Sequence, residues 1–424
     1  MRVVMICRKY SGIGRDVWSP SGTPAVLKLI EEFEARGIAA TVLFLAKSRE
    51  AGRRDFATDY GRFRHVKFVH IGWRGWGGLP RIAGEAANSL RQLLRVAPYF
   101  FRRSDILYFD RGHLGFAAVA SLVHRRVIWR CLGVMSFLLA RDAGKRLGAA
   151  YLGVARLLLR FPIRLAVCTN DGSPWYRLFR SARARGRLLL LTNGVDRPDA
   201  SPDRRSAGGA GRPLTLGFVG RATRAKGIDV FVAACIALAQ RGLPFRALVV
   251  GDGADRAGAE ASARAAGLGE TVRFLGSVPH GEVQSHLSAI DIYVSPAHNS
   301  GFSNTMLEAL AAGCCVVALG PDAARGVDVS TSRFLPDSVA KWVDRADPAT
   351  AIADAVAALI ADPAECTRRQ GEALAFAQSS LPTWRERIDK EIGIYESLAN
   401  GQAPPHGTLP WDRLAQVAFA VGRK

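Results

Sequence analysis

The feature of this sequence that most constrains its fold is a regular alternation of short apolar runs with longer segments of helical periodicity. The longer segments include Thr23–Arg36, Ile228–Arg241, Ala254–Ala266 and Asn304–Ala312. The short runs are Val3–Cys7, Ala40–Leu45, Ile106–Phe109, Val127–Trp129, Leu165–Cys168, Leu188–Leu191, Leu214–Val219, Ala247–Val250, Val272–Leu275, Ile290–Ser295 and Cys314–Ala318. Runs that are apolar throughout are typical of parallel strands buried on both faces, with helices packed on each side. The sequence therefore predicts an α/β protein of doubly wound, Rossmann-like sheets.

A polar stretch rich in proline and glycine interrupts this alternation near mid-chain. It contains Pro198–Pro202 followed by Ala207–Gly211, a composition typical of a linker. A chain of 424 residues suits two or three domains. We therefore predict one Rossmann-like domain over residues 1–197, a linker over 198–211 and a second domain over 212–383. Two such domains would face each other across a cleft, with ligands bound beyond the carboxyl ends of the strands.

The basic residues are concentrated in the first half of the chain. Residues 1–211 hold 37 basic and 15 acidic side chains, whereas residues 212–424 hold 21 and 22. This asymmetry suggests that the first half meets a polyanion, such as an anionic membrane surface, a phosphorylated lipid or nucleic acid. Arginines alternate with aromatic and aliphatic residues over 91–103 and 141–164, which favours a membrane surface. The alternative is a general bias toward arginine, with these helices partly buried. Because no recognised binding module is present, no nucleic acid partner is expected.

The sequence also indicates where the protein works. Its seven cysteines show no CxxC pair and no metal-ligand spacing with histidine, so reduced buried thiols and no metal site are expected. The first apolar run turns polar at Arg8 and Lys9, too early for a signal peptide. No stretch reaches the ~18 apolar residues of a membrane span. We therefore expect a cytoplasmic protein, either soluble or peripheral on the inner face of the cell membrane.

Two cations follow a strand of the second half. The run Leu214–Val219 leads into Gly220, and Arg221 and Lys226 lie in the loop before the helix that starts near Gly227. A guanidinium, an ammonium and the free amides of a helix start are groups that hold a diphosphate. The spacing indicates a diphosphate clamp, with a solvated basic loop as the alternative.

A second strand–turn–helix segment lies at 290–312. Ser303 or Asn304 suits the helix N-cap, which would leave amides near Thr305 pointing to a ligand. Glu308 stands one turn into a helix of mostly leucine and alanine. A carboxylate that accepts from both hydroxyls of a ribose would explain it, and a solvated surface glutamate is the alternative.

Together these segments resemble group 1 glycosyltransferases, the large GT4-like retaining family of GT-B fold. The matching segments occur in the family's order: Asn193–Asp196, Gly220–Asp229, Val249–Gly253, Phe274–Val278 and Gly301–Ala318. The resemblance covers nearly all of residues 193–318. It implies a nucleoside-diphosphate sugar as donor substrate and no cofactor. It also implies that the helix Trp384–Leu398 returns to the first domain, so that residues 384–424 complete it.

The resemblance implies a role for each matching residue. Arg221 and Lys226 would bind the donor diphosphate, and Glu308 would hold the ribose. The other donor-binding positions would be Gly220, Ser303, Asn304 and Thr305 near the phosphates and sugar, and Phe274 and Val278 beside the base. One position departs from the family, because Ser300 stands where the first of two paired glutamates contacts the donor sugar.

The first half resembles the family more loosely. The segment Tyr10–Arg15, with Gly12 and Gly14, follows the first strand. It looks like the family's glycine-rich loop, where the backbone approaches the donor phosphates and the acceptor.

A second polar segment of the first half follows the run Ile106–Phe109. The family often has a histidine where Asp110 stands, and His113, three residues later, would take the catalytic place instead. A polar loop without a catalytic part is the alternative. Arg130, at the end of another strand, is a further candidate for the cleft.

The resemblance implies a retaining transferase that moves a sugar from a nucleoside-diphosphate sugar to a lipid-linked or polysaccharide acceptor, in cell-envelope or exopolysaccharide synthesis. Arg221 and Lys226 would stabilise the departing diphosphate electrostatically. Two alternatives stay open. One is a nucleotide-sugar epimerase or phosphorylase of the same fold, and the other is a non-catalytic binding protein on a degenerate transferase scaffold, which Ser300 would favour.

Overall fold

The chain forms two compact units. The computed structural model describes residues 1–21, 23–46, 54–73, 81–102, 104–132, 146–196, 211–298 and 301–405. The first unit comprises Met1–Thr169, Trp175–Leu191 and the helix Trp384–Ala399, and the second comprises Asn170–Pro174 and Thr192–Thr383. The chain thus passes to the second unit after Leu191. Of the expected linker, only Gly211 lies within the described residues.

The first unit is built on a mainly parallel sheet. Its strands are β1 (Arg2–Arg8), β4 (Ala39–Leu45), β5 (Phe56–Thr58), β6 (Val66–Ile71), β7 (Ile106–Asp110), β8 (Val127–Cys131), β9 (Leu165–Thr169) and β10 (Arg187–Leu191). They lie in the order β10-β9-β8-β7-β1-β4-β6-β5, and β5 alone of these runs antiparallel to its neighbour. A separate antiparallel pair joins β2 (Ser11–Ile13) to β3 (Trp18–Ser21).

Helices cover both faces of this sheet. They are α1 (Pro24–Ala35), α2 (Arg81–Phe100), α3 (Leu114–Ala120), α4 (Arg146–Leu158), α5 (Trp175–Ala182) and α13 (Trp384–Ala399). The alternation of side chains along β1 divides the core, because Val3 and Met5 pack with α1 and α13 whereas Val4 and Ile6 pack with α2 to α5. The central strand is apolar on both faces for this reason, as a parallel strand requires.

The second unit contains a fully parallel sheet. Its strands are β11 (Leu214–Val219), β12 (Phe245–Val250), β13 (Val272–Gly276), β14 (Ile292–Ser295), β15 (Cys315–Leu319) and β16 (Ala340–Val343). They lie in the order β13-β12-β11-β14-β15-β16. All eleven apolar runs singled out in the sequence form strands, and the predicted architecture of two parallel α/β sheets is confirmed.

Helices also lie on both faces of the second sheet. They are α6 (Ile228–Gln240), α7 (Arg256–Ala265), α8 (His280–Ser288), α9 (Asn304–Ala311), α10 (Val329–Phe334), α11 (Pro348–Ala361) and α12 (Pro363–Ser380). Side chains of α6, α7 and α11 form the main core with one face of the sheet. On the other face α9 packs against α12, and both contact β15.

The order of the strands places one topological switch point in each sheet. In the first unit the chain builds outward from β1 to β4 and β6, and then outward in the other direction from β7 to β10. In the second unit it builds from β11 to β13, and then from β14 to β16. Ligands of doubly wound sheets bind at the carboxyl ends of the two strands that flank this point. The segments to inspect are therefore those that follow β1, β7, β11 and β14.

A buried charged cluster joins α13 to the first sheet. Arg387 pairs with Glu391 on the same helix, and the Tyr395 hydroxyl donates to the same carboxylate. All three side chains are at most 1% exposed. Burial alone would raise the pKa of Glu391, but the guanidinium groups of Arg387 and Arg130 hold it below the usual range. The C-terminal helix is thus attached to the sheet by ionic as well as apolar contacts.

Arg130 is buried beside this cluster, so the expectation that it lines a cleft was wrong. The side chain is 1% exposed, and its Nη2 donates to Thr169 Oγ1 over 3.1 Å. Because Arg130 and Asp110 occupy paired positions on β8 and β7, they share a face of the sheet. On that face Arg130 serves as a structural counter-charge to Glu391.

None of the helices among the described residues is long and apolar enough to cross a bilayer. The seven cysteines all lie among the described residues, and each is a buried free thiol. Burial raises the pKa of Cys235 to about 12, so this thiol is no nucleophile at neutral pH.

Candidate functional site

The loop that follows β11 lies directly against the loop that follows β14. Gly220 adopts φ 141° and donates its N–H to the Val250 carbonyl over 2.9 Å. Gly227, just before α6, adopts φ 78°, and a Cβ there would lie 2.2 Å from the Pro296 carbonyl oxygen. Only glycine permits both the conformation and this approach. The two loops therefore meet at the switch point of the second sheet.

Lys226 lines a small pocket formed by these two loops. Its other walls are Phe218, Val219, Gly220, Tyr293, Val294, Ser295, Pro296, Ala297, Ser303 and Thr305. Burial lowers the pKa of the ammonium, Asp171 and Asp328 raise it, and the nearby Arg221 guanidinium lowers it. Arg221 itself is exposed beside the pocket. The two cations named from the sequence thus lie within electrostatic range of each other at the end of β11.

The start of α9 forms the opposite side of this pocket. Ser303 is the N-cap, and its Oγ accepts from the Met306 N–H over 3.3 Å. The Ser303 hydroxyl lies 2.8 Å from Thr305 Oγ1, which lies 3.0 Å from the Tyr293 hydroxyl. Asn304 accepts from Asn193 Nδ2 over 2.6 Å. Hydroxyls and free helix amides therefore face the same pocket as Lys226.

Glu308 lies one turn further along α9. It is 8% exposed, which rules out the solvated surface glutamate considered from the sequence. Its charge contributes to the raised pKa of Tyr293, which is chiefly due to burial. Glu308 does not itself line the pocket, but its charge acts on Tyr293, which does.

The other donor-site candidates of the second unit are more distant or undescribed. Phe274 lies on β13, two strands away from β11, and Val278 follows that strand; both are half-buried. Ser300 lies outside the described residues.

In the first unit, the glycine-rich segment after β1 forms a hairpin. Gly12 lies in β2 with φ 77°, and Gly14 donates its N–H to the Val17 carbonyl over 2.9 Å. The Tyr60 hydroxyl donates to the Gly14 carbonyl over 3.1 Å. The expected glycine-rich loop is thus part of a short antiparallel pair, which a side chain of the same unit holds.

Asp110 and His113 form a hydrogen-bonded pair at the end of β7. Asp110 is 1% exposed and accepts from His113 Nδ1 over 2.7 Å, the Arg8 N–H over 2.9 Å and the Tyr10 hydroxyl over 3.0 Å. Burial alone would raise the pKa of Asp110, but His113 and these donors hold it at about 2. Because a carboxylate only accepts, Nδ1 carries the proton and Nε2 is the ring nitrogen left for a ligand.

Two acidic residues near Lys226 escaped sequence reasoning. Asp328 follows β15, and Asp171 lies in the short segment Asn170–Pro174 that belongs to the second unit. Both charges raise the pKa of Lys226. The sequence offered one indication of them, because each is a polar residue that follows a predicted strand. For Asp171 this indication was misleading, since the strand before it was assigned to the first domain.

Comparison with known proteins adds to this geometry. Residues 213–362 match the model of the family Glycosyl transferases group 1. The chain is 32% identical over 224 residues to the lipopolysaccharide core biosynthesis mannosyltransferase LpcC of Rhizobium leguminosarum bv. viciae, covering 49% of this chain and 59% of the relative. It is 31% identical over 232 residues to D-inositol 3-phosphate glycosyltransferase of Corynebacterium urealyticum, covering 50% and 52%. The chain thus matches about half the length of these relatives.

Solved structures resemble the chain over nearly its whole length. Sucrose-phosphate synthase from Thermosynechococcus elongatus aligns with a TM-score of 0.69 at 19% identity, over 95% of this chain and 100% of that one. HepE of Anabaena, solved in complex with UDP, aligns with a TM-score of 0.62 at 18% identity, over 94% and 100%. At this level of identity the likeness concerns the fold.

Proposed function

We propose that the protein is a retaining glycosyltransferase, because residues 213–362 match the model of the family Glycosyl transferases group 1 and the chain has the GT-B fold. It moves a sugar from a nucleoside-diphosphate sugar to a lipid-linked or polysaccharide acceptor. The mannosyltransferase LpcC, named for lipopolysaccharide core biosynthesis, supports a role in making cell-envelope or exopolysaccharide glycans.

The observation that carries this proposal is the pocket at the switch point of the second sheet. Lys226 faces the start of α9 across it, and Arg221 lies beside it. In glycosyl transfer the bond between the sugar and the diphosphate breaks, and negative charge grows on the departing diphosphate. Two cations and free helix amides stabilise that charge more than they stabilise the bound donor. The pocket is therefore suited to the leaving group.

The role proposed for Glu308 is to hold the donor ribose. A buried carboxylate near the diphosphate pocket can accept hydrogen bonds from both ribose hydroxyls. Replacement Glu308→Gln keeps the shape but removes the charge. We expect it to weaken binding of UDP or GDP about 10- to 100-fold, because hydrogen bonds to a charged acceptor are stronger than neutral ones. Isothermal titration calorimetry with both nucleotides measures this.

The matched control is Glu270→Gln, an exposed glutamate of the same unit. It should bind the nucleotide as the unmodified protein does. If Glu308→Gln also binds normally, the ribose assignment is wrong. If the unmodified protein binds neither nucleotide, the donor site itself is wrong and the non-catalytic alternative gains support. Release of nucleotide without any acceptor would favour an epimerase, and dependence on inorganic phosphate would favour a phosphorylase.

In the first unit we propose that His113 acts on the donor sugar during transfer and that Asp110 orients the His113 ring. Asp110 keeps Nδ1 protonated, so that His113 presents Nε2 beyond the end of β7. Asp110 stays ionised at physiological pH because its pKa is about 2. An imidazole held next to a carboxylate can carry positive charge or accept a hydroxyl proton, and both actions suit glycosyl transfer.

The acceptor side of the proposal rests on a basic apolar surface of the first unit. Exposed apolar side chains lie on or just after α2, after α3 and on α4: Leu90, Leu94, Phe101, Leu122, Val123, Tyr151, Val154 and Leu157. Arginines alternate with them: Arg91, Arg95, Arg102, Arg125, Arg126 and Arg156. Helix α3 contacts both α2 and α4, so these residues belong to neighbouring elements. A surface of this kind suits an anionic membrane that holds a lipid-linked acceptor.

Vesicle flotation tests the membrane proposal. The protein should float with vesicles that contain anionic lipid and should remain largely unbound with neutral vesicles. The double variant Arg102→Gln/Arg125→Gln should lower the partition coefficient about 30-fold, since each cation near the surface contributes ~1 kcal/mol. The matched control is Arg246→Gln/Arg273→Gln, two exposed arginines of the second unit. Equal recovery of all variants, or equal flotation on both kinds of vesicle, would contradict the proposal.

A further inference from the structure

Asp328 occupies a strained position in the second unit. It precedes α10 with φ 54° and ψ 11°, in the left-handed region that residues other than glycine rarely adopt. Its side chain is fully buried, at 0% exposure. Its N–H donates to the Gly172 carbonyl over 3.0 Å, and a Cβ on Gly172 would lie 2.1 Å from Asp328 Oδ1. Strain of this kind persists where the surroundings fix the residue, and it is common at functional sites.

The carboxylate holds the loop that follows β14. Asp328 Oδ2 accepts from the Gly301 N–H over 2.8 Å, and the nearby Phe302 N–H acts to lower the pKa of the carboxyl group. Arg345 Nη2 lies 3.3 Å from the same oxygen, and Arg345 Nη1 donates to the His298 carbonyl over 3.1 Å. One ion pair therefore fixes both His298 and Gly301, the described residues at the two sides of this loop.

The loop in turn positions the groups that face Lys226. The Gly301 carbonyl accepts from the Ser303 N–H over 2.8 Å and from Ser295 Oγ over 3.4 Å. Ser295 and Ser303 both line the pocket that contains Lys226. A continuous path of hydrogen bonds thus runs from Asp328 through Gly301 to the proposed diphosphate pocket.

Several charges face Asp328. Burial raises its pKa to about 6, the loop amides and Arg345 oppose this shift, and Asp171 adds to it. The Asp328 carboxylate also acts on the Lys226 ammonium. Its Oδ1 has no hydrogen-bond partner among the described residues. The charge of Asp328 is therefore present at neutral pH and is lost as the pH falls through about 6.

We propose that Asp328 is a positioning residue of the donor site. Its ionised carboxylate fixes Gly301 directly and the His298 carbonyl through Arg345, and loss of that charge in mildly acidic solution loosens the segment Gly301–Ser303 beside the pocket and weakens donor binding. The inference rests on the proposed function for the identity of the ligand. The contacts that carry it lie within the second unit and are independent of any ligand.

The first arm of the test uses no nucleotide. Asp328→Asn removes the charge, and asparagine tolerates the left-handed backbone. Hydrogen–deuterium exchange at one neutral pH should be faster at the amides of Gly301, Phe302 and Ser303 in this variant than in the unmodified protein. The matched control is Asp344→Asn, an exposed aspartate whose side chain accepts from the Ala346 N–H. It should leave exchange at the amides of 301–303 unchanged.

The second arm measures binding of UDP-glucose and GDP-mannose by calorimetry from about pH 5 to 8. Neither probe titrates in this range, because both phosphates are esterified. The unmodified protein should lose about tenfold in affinity toward pH 5, the size expected when charge-assisted hydrogen bonds are lost. Asp328→Asn should bind about tenfold more weakly at neutral pH and show a flatter profile. A variant profile as steep as that of the unmodified protein would assign the titration to another group, such as Asp171.

The two arms distinguish the failures. Absence of binding of either probe to the unmodified protein counts against the proposed function, whereas unchanged exchange at the amides of 301–303 in Asp328→Asn overturns the role of Asp328. If Asp328→Asn does not fold, exchange is measured in the unmodified protein at pH 5 and 7.5 and corrected for intrinsic rates. Equal protection of 301–303 at both pH values would overturn the proposal.

Discussion

Replacement Lys226→Met is expected to lower the rate of sugar transfer about 100- to 1000-fold, the range found when one preorganised group is removed from a developing anion. Methionine keeps the aliphatic stem that packs in the pocket but removes the charge. The effect is large because the Lys226 ammonium is half-buried between two loops, where the field of a charge is stronger than in water. The rate can be measured without an identified acceptor as transfer of the donor sugar to water, monitored by the release of nucleotide.

The matched control is Arg224→Gln, on the same loop. Arg224 is exposed, and its backbone N–H rather than its side chain bonds Asp255. It should keep nearly full activity.

The role of His113 can be distinguished from that of Lys226. His113→Gln should slow transfer in the same assay, whereas its affinity for the nucleotide, measured by calorimetry, should stay unchanged. Normal turnover by Lys226→Met would remove the leaving-group assignment, and a loss of nucleotide affinity in His113→Gln would contradict its assignment to the sugar.

The second large effect concerns stability. Glu391→Gln leaves Arg387 and Arg130 in the core of the first unit without their counter-charge. Removing one partner of a buried ion pair typically costs about 3–5 kcal/mol, and we expect a loss of this size in the free energy of unfolding. Urea unfolding followed by tryptophan fluorescence measures it. This signal reports chiefly on the first unit, where Trp18, Trp129, Trp175 and Trp384 lie.

The control for this change is Glu396→Gln, an exposed glutamate on the same helix. It should shift stability by less than about 0.5 kcal/mol. The pH dependence gives an independent check. The pKa of Glu391 is lowered in the folded state, so its contribution is present above the ordinary glutamate pKa and is lost as the pH falls through the folded value. If Glu391→Gln unfolds at the same urea concentration as the unmodified protein, the ionic attachment of α13 is unimportant.

Much of the fold could be predicted because buried parallel strands leave a plain signal in the sequence. Strand β6 was missed, since Lys67 and His70 interrupt its apolar residues although Val66 and Phe68 face the core. Strand β16 was missed because it is a short edge strand in which only Ala340 is buried. The hairpin after β1 was missed as well. It forms because Trp18 packs against Phe63 and Phe68, with ring centroids 5.0 Å apart, which local spacing does not reveal.

Some residues of the candidate site could likewise be predicted from the sequence, and others could not. Lys226, Ser303 and Thr305 could be placed together because each follows a predicted strand at the same edge of one sheet. Asp328 could not, because its importance depends on a left-handed backbone and on a contact with Gly172, more than 150 residues earlier in the sequence. Arg130 was misplaced for a related reason. A cation at a strand end suits a cleft, and only the distant Glu391 shows why it can be buried instead.

The position of α13 has a consequence for synthesis on the ribosome. Translation delivers this helix only after the whole second sheet, yet Ile388, Ile392 and Tyr395 belong to the core of the first. Until the helix emerges, the part of this sheet face that α13 covers lacks its packing partner, and Arg130 lacks the Glu391 counter-charge. Residues 192–383 must therefore be synthesised before this helix can pack on the first sheet, and chaperones would be expected to bind the exposed apolar surface in that interval.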